Sequence, residues 1–79
     1  MNVPESLKGA VMKLTPCEKQ VLELMGEGLS NKSIAAKLSR GVRTIETHVR
    51  NISIKFDRAT ARKLCVIGFR IFHACKEEN

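Results

Sequence analysis

The chain reads as an all-α domain of four helices with a helix-turn-helix at its centre, and three observations carry that expectation. Apolar residues at Ile45, Val49, Ile52 and Phe56 keep the spacing that draws one stripe down a helix. Just upstream, Ser30 opens a second, shorter apolar-periodic segment that stops at Ser39-Arg40-Gly41, so two short helices are separated by a tight break. Thr15-Pro16-Cys17-Glu18 and Thr60 mark helix starts on either side of this pair.

Taken in order, residues 1–13 read as a flexible tail or linker, because Pro4, Ser6 and Gly9 break regularity; Leu7, Val11 and Met12 allow loose packing or a short helical turn. The domain proper is expected over 14–76, with 77–79 as its C-terminal end. Thr15 can cap the first helix, Pro16 suits its first position, and Glu18 can reach back to the cap's own amide. Val21, Leu22, Leu24 and Met25 then form a broad buried face, and Gly28 suits the left-handed residue after a helix end near Glu27. Ser30 caps the next helix, where Ile34, Ala35 and Leu38 share a face and the small Ala35 admits a close crossing. The third helix is the striped segment from Val42 to Phe56. Asp57-Arg58-Ala59-Thr60 reads as a turn, and a last helix from Ala61 to Ala74 puts Leu64, Cys65, Gly68, Ile71 and Phe72 on one side. Val66, Phe69 and His73 are left over, which suggests a helix–helix dimer contact unless Val66 and Phe69 cover the first helix or the N-terminal tail.

Composition removes several function classes. With 79 residues the chain holds one small core and no sizeable enzyme cleft. It has no Trp and no Tyr, so little surface exists for stacking single-stranded bases. Its 14 Lys+Arg against 8 Asp+Glu give a formal charge of +6, which favours a polyanionic partner. The distribution is more telling. Between Lys32 and Lys63 stand nine basic residues and two acidic ones, Glu46 and Asp57, whereas Leu14 to Gly28 holds Lys19 against Glu18, Glu23 and Glu27. Cys17, Cys65 and Cys75 lack metal-ligand spacing and fall within apolar periodicity, so reduced structural thiols are expected. No residues cluster as nucleophile, base and oxyanion donors, and neither catalysis, cofactor nor metal is expected. The start Met1–Glu5 is not a signal peptide and no window approaches the roughly 20 apolar residues of a membrane span, so the expected location is cytoplasmic.

The third helix carries the chemistry. Opposite its stripe it presents Arg43, Glu46, Thr47 and Arg50, hydrogen-bonding side chains on a rod that fits a DNA major groove. A solvated amphipathic helix with ordinary surface charges shows the same pattern. In a helix-turn-helix the first helix of the pair braces on the backbone and the second enters the groove.

Leu14-Thr15-Pro16-Cys17-Glu18-Lys19-Gln20-Val21-Leu22, Gly28-Leu29-Ser30-Asn31-Lys32-Ser33-Ile34-Ala35 with Leu38, Thr44-Ile45-Glu46-Thr47-His48, Asn51-Ile52 and Lys55-Phe56 together resemble the LuxR/FixJ/NarL/GerE-type DNA-binding domain. The resemblance covers roughly Leu14 to Phe72. It implies a four-helix domain of a bacterial transcription regulator that binds double-stranded DNA as a homodimer through its last helix. Such domains are commonly attached to a receiver or small-molecule-sensing domain, and RNA polymerase enters as a further partner. Carried over by position, the family's base-reading sites fall on Glu46, Thr47 and Arg50, and its phosphate-contacting sites on Lys32, Thr44, His48 and Lys55, to which Arg43 is added. The dimerisation residues are then Val66, Phe69 and His73.

Three positions depart from the pattern. Glu46 stands where the family mostly has Lys or Arg; it can accept from cytosine N4, pair with Arg43 or Arg50, or mark weakened binding. Arg40 and Gly41 replace an apolar residue and a Ser in the turn, with Gly41 keeping the bend. Ala61 stands where an Arg is expected, with Arg58 or Arg62 as substitutes. Two other classes stay open: a region-4-like promoter-binding segment of a sigma factor, and a degenerate helix-turn-helix serving as a protein-interaction or dimerisation module, for which Glu46 argues.

Overall fold

The computed structural model describes residues 5–73, with side chains from Gly9 onward. The described residues form five helices: α1 (Glu5–Met12), α2 (Pro16–Gly26), α3 (Asn31–Leu38), α4 (Val42–Lys55) and α5 (Ala61–Phe72). No strand occurs among the described residues. The expected four helices are α2 to α5. Ala74, Cys75 and the end segment 77–79 lie outside the described residues.

The first helix departs from the sequence reading. Where a tether with at most a helical turn is expected, Glu5–Met12 form an eight-residue helix. It closes with the Lys13 amide donating to the Ala10 carbonyl at 3.1 Å and the Leu14 amide to that of Val11 at 3.2 Å. Ala10 and Val11 pack partly against the core, which offsets the low helix propensity of Gly9, while Met12 remains 83% exposed.

Caps explain the next boundaries. The Thr15 hydroxyl accepts from the Glu18 amide at 3.1 Å, and the Thr15 amide donates to Glu18 Oε1 at 3.0 Å. Ser30 accepts from the Ser33 amide and Thr60 from the Lys63 amide, both at 3.2 Å. Each such cap contributes about 1 kcal/mol. In the break before α4 the left-handed residue is Ser39, with φ 57°, whereas Gly41 has an ordinary φ of −74° and merely opens α4. Ser39 ends α3: its amide donates to Ala36 O, and the Arg40 amide reaches Ala35 O at 2.9 Å. That satisfies carbonyls the helix end would leave bare, against a conformational cost of about 1 kcal/mol for a non-glycine residue.

α2 is the central helix. Val21 and Leu22 on it, Ile34 on α3, Ile45 and Ile52 on α4 and Leu64 on α5 are fully buried together. The expected stripe of α4 therefore faces the core, with Phe56 buried and Val49 packed partly against it. α2 and α5 approach each other backbone to backbone. A Cβ on Gly26 would stand 2.5 Å from the Phe69 backbone N, and one on Gly68 would overlap the Leu22 carbonyl oxygen. The two backbones touch at these glycines. Between α4 and α5, Asp57 and Arg58 both take a φ of 61°; the Arg58 amide donates to Ser53 O at 2.7 Å and Ser53 Oγ to Ala59 O at 2.5 Å. These bonds fix where α5 starts relative to the last turn of α4.

Candidate nucleic-acid interface

Burying Ile45 and Ile52 rotates the opposite face of α4 into solvent. Arg43, Thr44, Glu46, Thr47 and Arg50 are all exposed there. Arg43 and Glu46 are three apart and Glu46 and Arg50 four apart, spacings at which helical ion pairs form. Neither pair closes: among the described residues no salt bridge or hydrogen bond joins Glu46 to a cation. Its carboxylate and the two guanidinium groups all remain available. Thr47 is different, because its hydroxyl donates to the Arg43 carbonyl one turn back at 3.1 Å.

Lys32, exposed in the first turn of α3, adds its charge to the positive end of that helix, a combination that suits a phosphate. His48 is half-buried at the margin of α4 and makes no hydrogen bond among the described residues. Lys55, expected on a phosphate, is engaged within the fold in the DNA-free domain. Its ammonium donates to Glu18 Oε1 at 2.6 Å and to Lys13 O at 3.0 Å, tying the end of α4 to the α1–α2 junction. Glu18 is 4% exposed. Burial raises the pKa of its carboxyl, but the Lys55 hydrogen bond, the Thr15 amide and the charges of Lys55 and His48 outweigh that, so it titrates below its ordinary 4.5.

On α5 the side facing α2 carries the buried Leu64, Gly68 and Ile71, so Val66 and Phe69 point outward at 53% and 44% exposure. They do not cover the core. His73, grouped with them from the sequence, is instead turned to α2, where Nε2 donates to the Glu23 carbonyl at 3.0 Å and lies 4.0 Å from the Glu27 carboxylate. Its ring also stacks on Phe69 at 6.0 Å, which stiffens the exposed phenyl. Cys17 and Cys65 are free thiols of intermediate exposure.

Two contacts that hold this surface in place have no local signal in the sequence. The Lys55–Glu18 pair joins residues 37 apart, and only pairing the most buried acid with a cation from another helix would have found it. The Gly26–Gly68 contact is signalled by nothing stronger than a glycine inside each of two helices.

Residues 12–66 match the family described as GerE, bacterial regulatory proteins of the luxR family. Among individual relatives, the chain is 40% identical over 65 residues to the HTH-type transcriptional regulator MalT of Vibrio parahaemolyticus, covering 82% of this chain and 7% of MalT. It is 35% identical over 66 residues to the response regulator Rre1 of Synechocystis, covering 84% of this chain and 28% of Rre1. To the transcriptional regulatory protein FixJ of Bradyrhizobium diazoefficiens it is 34% identical over 68 residues, covering 86% of this chain and 33% of FixJ. The chain thus spans a third or less of the length of each of these relatives. No solved structure gives a significant match. No described helix is long and apolar enough to cross a membrane. With the α3–α4 pair, its buried stripe and its exposed polar face in place, the chain belongs to the LuxR family of bacterial transcription regulators and carries that family's DNA-binding helix-turn-helix domain.

Proposed function

We propose that this domain reads duplex DNA sequence with α4 in the major groove, as a homodimer over two half-sites about one helical turn apart. The observation that carries the reading is the outer face of α4, where Arg43, Glu46, Thr47 and Arg50 are exposed on a helix anchored by Ile45 and Ile52. Lys32, Arg43, Thr44 and His48 meet phosphates and set the register; Glu46, Thr47 and Arg50 face base edges. Lys55 drops out of the phosphate set because its ammonium holds the fold together. Val66 and Phe69 form the dimer contact, with His73 bracing Phe69 from behind. Selection of bound duplexes from a random pool, followed by affinity for the enriched site at two salt concentrations, tests this. A palindrome with half-sites one turn apart and a steep salt slope is expected; failure of the folded domain to enrich any sequence refutes it and favours the interaction module for which Glu46 argues.

Three substitutions sort the roles. Arg50→Ala should cost about 1–3 kcal/mol on the selected site and relax one base position, since a guanidinium spanning guanine O6 and N7 discriminates by that much. Equal loss on random DNA, measured by titration, removes Arg50 from the readers. Glu46→Lys replaces a repelled carboxylate by an attracted ammonium; non-specific affinity should rise and the salt slope steepen by about one. An unchanged slope places Glu46 away from the DNA. Phe69→Asp should weaken self-association in sedimentation experiments while leaving the monomer folded, because the side chain lies outside the core. Unfolding of that variant would assign Phe69 to packing instead.

A further inference from the structure

We infer that Thr47 reads the C5-methyl group of a thymine, a commitment that rests on the proposed major-groove docking of α4. Thr47 is exposed in the middle of the polar face, between the unpaired Glu46 and the exposed Arg50. From its residue type alone it has two ways of meeting a base: the hydroxyl can hydrogen-bond an edge, or the γ-methyl can pack on a thymine. The structure separates them. The hydroxyl proton is donated to the Arg43 carbonyl at 3.1 Å, so the oxygen is held back along its own helix. Thr and Ser make this bond to the carbonyl four residues earlier when nothing better is offered, and it fixes the side chain in one rotamer. Redirecting the proton to a base acceptor would break that bond and re-expose the carbonyl. The oxygen keeps lone pairs that can accept from an amino group of adenine or cytosine, but it has no proton left for thymine O4, so toward a thymine the methyl is what Thr47 has left to present.

The chemistry of the neighbours is consistent with this division. Glu46 can only accept from a base edge and Arg50 can only donate. An apolar contact between them would discriminate among bases that neither charged group separates, namely by the presence of a methyl at pyrimidine C5. The same contact would take 5-methylcytosine in place of thymine as far as the methyl is concerned, whereas a hydroxyl reader would ignore that group.

The test uses the full chain and the duplex it selects from a random pool. Each thymine of one half-site is replaced in turn by uracil, which removes the methyl and nothing else. The wild type should lose about fourfold in affinity at one position, the worth of one methyl buried from water. Thr47→Val keeps the methyl and should retain that loss, while Thr47→Ser, which keeps the hydroxyl, should bind thymine and uracil equally there. Tolerance of uracil at every position, or a Thr47→Ser that behaves like wild type while Thr47→Val does not, overturns the inference and leaves the docking of α4 standing. A pool from which the folded domain enriches nothing overturns both.

Discussion

Gly68→Ala should destabilise the domain by about 3 kcal/mol or more, an effect set by backbone geometry and not by any lost side-chain contact. The added methyl would overlap the Leu22 carbonyl oxygen and lie 3.2 Å from the Gly26 N, with no flexible side chain to yield. Relief requires α5 to move off α2, which opens contacts around Leu22 and Leu64, both fully buried. Against this, alanine gains about 1 kcal/mol over glycine in helix propensity, so the overlap must exceed that gain. A domain of this size is stable by about 4–12 kcal/mol at the usual per-residue value, so a large share of it is at risk. Gly9→Ala is the internal control. It also sits in a helix, but nothing lies within 4 Å of its Cβ position, so it should be neutral or stabilise by up to about 1 kcal/mol. Urea titrations of the three proteins decide the matter; a Gly68→Ala midpoint equal to that of the parent would mean that α2 and α5 are free to separate. A functional consequence rides on the same contact. Seating Gly68 against α2 is what turns Val66 and Phe69 to the outside, so a variant that survives by shifting α5 should lose self-association before it loses its helices.

The starts of α2, α3 and α5 were legible because side chains at Thr15, Ser30 and Thr60 make local bonds that any reader of the sequence can anticipate. The two faces of α4 were legible for a related reason: its period is local, and burying Ile45 and Ile52 leaves only one way to orient Glu46, Thr47 and Arg50. What stayed hidden depends on partners far along the chain. α1 needs a surface for Ala10 and Val11 that exists only once the bundle has closed. In the turn before α4 the sequence points to Gly41 as the residue that keeps the bend, yet Ser39 takes the left-handed conformation, because α3 ends at Leu38 and its last carbonyls must be met there. His73 likewise turned on the Glu23 carbonyl, a partner that no local pattern announces.

The same distinction bears on Lys55, a lysine that the family resemblance places on a phosphate and that pairs with Glu18 in the DNA-free domain. Glu18→Ala should cost about 3 kcal/mol, since it removes one side of the α2 capping box and leaves the Lys55 ammonium without its anion, with the usual penalty for breaking a buried pair reduced by the 28% exposure of the lysine side chain. Glu18→Gln is the sharper variant. An amide can still accept from the Thr15 amide, so the cap survives while the charge is lost, and a smaller loss is expected. The pH dependence follows from the lowered carboxyl. Between its folded value and the ordinary 4.5 the unfolded chain binds a proton that the folded chain does not. The contribution of the pair is therefore whole above 4.5 and is lost as pH falls through the folded value. Glu18→Gln should flatten that acid limb, and a limb of unchanged slope would mean that other carboxylates control it. DNA binding supplies the independent arm. Lys55→Met should lower stability like the glutamate variants yet leave the salt slope of binding unaltered, whereas a lysine engaged with a phosphate would lower that slope by about 0.9 on removal. The slope thus reports whether the ammonium stays on Glu18 when DNA arrives, and with it whether α1, tethered through Lys13 O, keeps its hold on the end of the reading helix.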